Sequence, residues 1–256
     1  MTDAPEIVRT LEIRAPRDTV FRYFNDPARW AAWWGEGSTV DPRPGGKVLI
    51  RYPNGATASG SVRELEPPSR FVFTFGNESP AGPIPPGGST VTILLEESGR
   101  GTRLTLRHTG FPSAEVAGRF VQGWRYQLSV FSKVVTAEAH VGAAAAADRW
   151  FEAWNEPEDS RRREALAACS AEDVTFCDDY GVLAGREDVG AQIAATRVYM
   201  PGLTLRRAGE PALSHGHALV RWEAVDAAGT KRGSGTNVFT FGADGKIERV
   251  VGFWGA

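Results

Sequence analysis

Two cysteines, Cys169 and Cys177, are all that the 256 residues contain. They form no C-x-x-C pair and lie near no cluster of histidines, which argues against a metal centre and favours two thiols buried as small apolar side chains. Long apolar runs are missing too: none approaches the roughly 18 residues a membrane-spanning helix needs. The N-terminal stretch MTDAPEIVRT lacks the apolar core of a signal peptide, so a cytoplasmic protein is expected. Neither sign of charge dominates. A net charge of -2 gives no basic field for nucleic acid or an anionic membrane surface. With 42% hydrophobic residues, the chain can build one large core or two small ones.

The most ordered pattern runs from Ala114 to about Glu138. Val116, Phe120, Trp124, Leu128, Phe131 and Val135 recur at three- and four-residue spacing, placing one apolar stripe along a helix. A helix of roughly 20 to 25 residues exceeds the usual globular length and has to lie along something extended, most simply a sheet. The preceding residues supply that sheet. Glu6–Ala15 alternates as a strand, Pro16 starts a short helix with Val20, Phe21 and Phe24 on its apolar side, and Asp26-Pro27 leads into a second turn carrying Trp30, Trp33 and Trp34. Strand-like runs follow at Lys47–Tyr52, Ala56–Leu65, Arg70–Phe75, Ser89–Glu96 and Thr102–His108, punctuated by Gly, Pro and Asn. Asn77–Gly88 is a Pro/Gly-rich loop that reads either as a cover over a cavity or as plain surface.

A second organisation begins after the long helix. Ala147, Trp150, Phe151 and Trp154 line one face of a helix, and Asn155 to Glu158 has the spacing of a helix cap. Asp173–Asp178 reads as a strand, and Gly185–Glu187 opens a helix with Val189 and Ile193 inward. Four strands finish the chain at Leu203–Gly209, Ala218–Val225, Gly235–Phe241 and Lys246–Phe253, the last two joined by an Asp244-Gly245 turn. Domains of residues 1–140 and 141–256 follow, in an α+β class: a curved antiparallel sheet over a long C-terminal helix, then a cone of helices wrapped by a sheet.

The stretches FRYFNDPARWAAWW, DPRPGG, ELEPPSRFVFTF, EESGRGTRLTLRHTGFP and Gly123-Trp124 resemble the SRPBCC or START-like helix-grip superfamily, specifically bacterial relatives of the Aha-type activators of the heat-shock-protein ATPase. The resemblance covers about residues 5 to 138. It implies a cup between sheet and helix, used by relatives for an apolar small molecule or to support a chaperone contact. RWFEAWN, DVTFCDDYGVLAGREDV and GTNVFTFGADGKIERV, within about residues 143 to 256, resemble the SnoaL-like polyketide cyclase and ketosteroid isomerase group of the nuclear-transport-factor-two superfamily. That resemblance implies a cone-shaped pocket, with a homodimer through the C-terminal domain as a compatible assembly.

Period-two alternation places Val174, Phe176 and Asp178 on one strand face, so Asp178 faces inward if the other two do. A carboxylate at the edge of an apolar pocket gains basicity, which suits removing a proton next to a carbonyl. By resemblance Asp178 stands at the isomerases' general-base position. The competing reading is a turn residue capping its own backbone. Asn237 shares a face with Phe239 and Phe241 and falls where those enzymes keep an oxyanion-stabilising acid; its NH2 can donate to a developing enolate. The tyrosine of the isomerases' first helix is replaced by Trp150, which puts steroid isomerisation itself in doubt. His108 is the titratable side chain in register with the first domain's inward face, and it reads as a general base or as a core histidine bonded to its turn. The expected ligand-contacting residues are Trp150, Trp154, Phe176 and Phe239 in the second domain and Trp124, Phe73 and His108 in the first.

The functional expectation is therefore cofactor-independent acid/base chemistry of cyclase, isomerase or hydrolase type on an apolar carbonyl compound, with Asp178 and Asn237 as its catalytic pair and no metal. Its alternative is a non-catalytic hydrophobic-ligand-binding or chaperone-associated protein.

Overall fold

The computed structural model describes residues 4–99 and 101–255. Met1–Asp3 of the MTDAPEIVRT stretch and Arg100 of the EESGRG motif lie outside the described residues. The chain divides into two compact units, Met1–Thr136 and Ala137–Ala256.

The first unit runs β1 (Ile7–Ile13), α1 (Arg17–Asn25), α2 (Pro27–Trp34), β2 (Thr39–Val40), β3 (Lys47–Arg51), β4 (Thr57–Glu66), β5 (Arg70–Asn77), β6 (Ser89–Ser98), β7 (Gly101–Thr109) and α3 (Ala114–Ala139). Its sheet is antiparallel throughout, in the order β1-β7-β6-β5-β4-β3-β2. Pro16 sits one place before the expected position, as the N-cap of α1. Asp26 caps α2, its Oδ1 accepting from the backbone N–H groups of Ala28 and Arg29.

The apolar stripe of α3 meets the sheet and the small helices. Phe131 stacks on Phe24 and meets Trp33 edge-on, and Phe120 packs against Phe75. Gln127 and Ser132 are buried on that face as well, and Gln127 Nε2 donates to the Trp33 carbonyl. Apolar counting misses such residues, since a polar side chain enters a core once its hydrogen bond is supplied. Trp30, Trp33 and Trp34 are core residues, interlocked with one another. The 78–88 loop seats Ile84 in the core, and Ile84 O accepts from Asn77 N.

The second unit runs α4 (Ala143–Asn155), α5 (Asp159–Cys169), β8 (Ser170–Cys177), β9 (Val182–Ala184), α6 (Gly185–Tyr199), β10 (Thr204–Arg207), β11 (Ala212–Ser214), β12 (His217–Val225), β13 (Lys231–Phe241) and β14 (Ile247–Trp254). The sheet order is β10-β12-β13-β14-β8-β9, with β11 paired to β12 and one parallel junction, between β14 and β8. Trp150, Phe151, Val174, Phe176, Phe239 and Phe241 belong to one buried cluster.

One local expectation is corrected. Glu158, not Asn155, caps α5, accepting from Ser160 N and Arg161 N. Asn155 instead ends α4 and imitates a strand, its amide donating to Leu205 O at 2.7 Å and accepting from Leu205 N at 2.8 Å. An amide carries both a donor and an acceptor, so it can pair with β10 where capping would use only one of them. Glu223 pairs with Arg206 across the β10–β12 ladder.

Candidate functional site

The inner face of the second sheet carries two neighbouring rows of side chains. Antiparallel pairing sets Gly252 of β14 opposite Asn237 of β13, and parallel pairing of Val251 with Cys177 brings Asp178 alongside Gly252. The first row is thus Asp178, Gly252, Asn237. One step along the strands, Trp254 pairs with Gly235 and Gly235 with Trp222, giving a second row. Each row places a glycine between two larger residues. Over Gly235 the two indoles meet edge-to-face, with ring centroids 4.9 Å apart.

These indoles hold the first row. Trp222 Nε1 donates to Asn237 Oδ1 at 3.1 Å, and Trp254 Nε1 donates to Asp178 Oδ2 at 3.0 Å. An indole nitrogen only donates, so Trp222 settles which end of the Asn237 amide it meets: the oxygen is taken and the NH2 is left for another acceptor. Asp178 Oδ1 accepts from Tyr180 N and Gly181 N, both at 2.9 Å. The self-capping turn and the inward carboxylate therefore coexist, one oxygen for each. A carboxylate offers about four acceptor positions, and three N–H groups leave one open on Oδ2.

Asp178, Gly252 and Asn237 border a cavity of about 30 Å³ whose other walls are Phe151, Trp154, Phe176, Leu205, Trp222 and Trp254. That volume is close to one water molecule's share of the liquid and far below the several hundred Å³ of a drug-sized pocket. Asn237 is 6% exposed and Asp178 half-buried. Trp154 Nε1 is buried without a hydrogen-bond partner among the described residues.

The first unit holds a cavity of about 50 Å³ between Trp34, Tyr52, Phe75, Phe120, Gly123, Trp124 and Gln127. Burial raises the pKa of the Tyr52 phenol, and Trp34 Nε1 has no partner among the described residues. Tyr52 also borders an open surface groove of about 450 Å³ with Arg51 and Glu36. His108 lies behind the cavity wall, wholly buried, in a closed chain of hydrogen bonds. Trp124 Nε1 donates to His108 Nδ1 at 2.9 Å, so the ring proton is on Nε2 and is donated to Ser89 Oγ at 2.8 Å; Ser89 in turn donates to Phe75 O. Desolvation lowers the His108 pKa to about 4, so it is neutral at physiological pH.

Of the expected ligand contacts, Trp154, Phe176 and Trp124 line a cavity. Trp150, Phe239, Phe73 and His108 are buried core behind it. Trp222, Trp254 and Gly252 went unrecognised, although equal steps outward from the Asp244-Gly245 turn already set Gly252 opposite Asn237. Cys169 is buried, its thiol pushed up to about 11 by desolvation. Among the described residues, no cluster of three or more His, Cys, Asp or Glu could hold a metal ion, and no helix is long and apolar enough to cross a membrane.

Residues 14–136 match the Activator of Hsp90 ATPase homolog 1-like protein family, and residues 147–250 match the SnoaL-like domain. No curated protein matches the chain. Among solved structures, a candidate isomerase of the SnoaL-like family from Agrobacterium tumefaciens is 28% identical, over 46% of this chain and 99% of its own, with a TM-score of 0.42. CalU16 from Micromonospora echinospora is 28% identical over 50% of this chain and 75% of its own, at 0.41. The Aha1 dimer from Colwellia psychrerythraea is 17% identical over 48% and 90%, at 0.42. The chain is thus similar to the Activator of Hsp90 ATPase homolog 1-like family over its N-terminal part and to the SnoaL-like domain over its C-terminal part.

Proposed function

We propose that the C-terminal domain, taken as residues 141–256, is a cofactor-independent acid/base catalyst acting on a small apolar carbonyl compound. The observation that carries the reading is the convergence of Asp178 and Asn237 on one aromatic-walled cavity, each oriented by its own indole N–H. The Asp178 carboxylate takes a proton from the carbon next to the carbonyl through the open position on Oδ2. The C–H electron pair becomes the new C=C bond, the carbonyl pair moves onto oxygen, and the Asn237 NH2 donates to that oxygen. Returning the proton from Asp178 to the same or a conjugated carbon completes an exchange or an isomerisation without oxidant or reductant. A hydrogen-bond donor aimed at developing charge, among apolar aromatic walls, is the arrangement that stabilises such an enolate.

Deuterium uptake from D2O into a panel of small cyclic and aryl ketones tests the reading. The wild type is expected to accelerate exchange, and Asp178→Asn to reduce the acceleration at least 100-fold. Equal exchange by both proteins would remove Asp178 as the base.

The N-terminal domain, residues 1–140, supports a second reading, apolar-ligand binding without catalysis. Its cavity walls are almost wholly aromatic, and its histidine is engaged on both ring nitrogens. Thermal stabilisation by an apolar ligand, unaccompanied by turnover when Asp178 is replaced, is the expected result.

A further inference from the structure

Glycine inside a strand weakens it and needs a reason in the surroundings. At Gly235 the reason is the indole of Trp222: a Cβ there would lie 2.5 Å from Trp222 Cζ2 and 2.3 Å from Phe253 O. The space over Gly235 is thus already filled by protein. Gly252 has extended backbone that any residue can adopt, with no left-handed φ to require glycine. A Cβ there would wedge between Asn237 Oδ1 and Asp178 Cβ, 3.2 Å from each, and its outlook is the cavity. The two rows therefore share one plan with different contents: the gap over Gly235 holds an indole, and the gap over Gly252 is open between the Asp178 Cβ and the Asn237 amide oxygen.

Resting on the reading of Asp178 and Asn237 given above, we infer that Gly252 is a specificity-determining residue. Its missing side chain is the slot into which the C–H edge beside the carbonyl of a flat, small substrate passes, so the site takes unhindered planar enones and ketones and rejects carbonyls flanked by alkyl branches. Three features combine to this. The slot is one methyl group wide, since a single Cβ already reaches both flanking residues. The free volume, about 30 Å³, takes only an edge of the molecule and leaves the rest of its ring at the open side of the cavity. The walls beyond it are ring faces and edges from Phe151, Trp154, Phe176, Trp222 and Trp254, which accommodate a flat ring more readily than a branched one.

The test uses 2-cyclohexenone as probe, with binding followed by the indole N–H resonances of Trp222 and Trp254 and chemistry by deuterium uptake. For the wild type, saturable shifts of both resonances are expected. In Gly252→Ala, the dissociation constant should rise at least tenfold while the thermal midpoint is held or raised, because alanine suits a strand better than glycine. Asp178→Asn should keep probe binding within about threefold and lose exchange. On the wild type alone, 2,6,6-trimethyl-2-cyclohexenone, with its carbonyl flanked by branches, should bind at least tenfold more weakly than 2-cyclohexenone, which keeps the test valid if Gly252→Ala does not fold. Unchanged binding in Gly252→Ala, or equal affinity for the two ketones, overturns the slot and leaves the catalytic reading intact. Binding that depends on Gly252 in a protein without exchange keeps the slot and overturns the catalytic reading. Absence of any indole shift in the wild type overturns both.

Discussion

The two domains each set tryptophans beside a small cavity, and they spend the indole N–H groups differently. In the N-terminal domain, Trp124 donates into His108, which donates into Ser89, which donates into the Phe75 carbonyl. The chain ends on backbone and leaves His108 no proton or lone pair for a ligand. In the C-terminal domain, Trp222 and Trp254 each meet one oxygen of a bifunctional side chain that borders the cavity, leaving the Asn237 NH2 and one acceptor position on Asp178 unused. A titratable side chain is therefore a poor guide to chemistry on its own. What separates the domains is whether the hydrogen-bonding capacity around it is exhausted.

Removing the centre of the N-terminal core should produce the largest effect. Phe131 touches Phe24, Trp33 and Tyr23, and Phe131→Ala is expected to cost that domain about 3–5 kcal/mol. Domain-resolved hydrogen exchange should show the loss in β5–β7 amides and not in β12–β14.

Acid should separate the domains next. His108 has a folded pKa of about 4 against an ordinary 6.5, so between those values the unfolded chain binds the extra proton. The stability that neutral His108 contributes is complete above about pH 6.5 and is lost as pH falls toward 4, by about 3 kcal/mol in all. Chemical denaturation followed by Trp124 indole signals should report this loss, and His108→Leu should flatten the slope over that window.

Asn237→Leu sharpens the other side of the comparison. Loss of the amide donor should lower carbonyl-directed exchange by roughly 100-fold with little effect on the N-terminal domain. The smallest of these effects is expected for Asn155→Ala, which unpairs Leu205 N and O at the β10 edge and should cost about 1–2 kcal/mol, read as a lower thermal midpoint.

Much of this could be read in the residues before any coordinates. The stripe through Trp124, Leu128, Phe131 and Val135 specified α3, and alternation through Val174 and Phe176 put Asp178 on the inner face, because periodicity reports which side of an element is buried. Asn237 was found the same way. Harder to read were contacts between strands distant in sequence. The parallel β14–β8 junction brings Asp178 beside Gly252, and nothing within either strand announces that partner. Trp222 and Trp254 look like ordinary core residues until register places each beside one polar side chain. Asn155 shows a different limit, since the spacing of a cap was present while the amide's tertiary partner, Leu205, was worth more hydrogen bonds.

The central claim is that Asp178 and Asn237 act on one bound molecule. A kinetic double-mutant cycle tests it most directly, with deuterium uptake into 2-cyclohexenone measured for the wild type, Asp178→Asn, Asn237→Leu and the double variant. If the two residues work as a unit, the double variant is no slower than Asp178→Asn within about threefold, because the amide has no enolate to stabilise once the base is gone. Losses that multiply across the cycle would mean that the two side chains act independently, and would contradict the account.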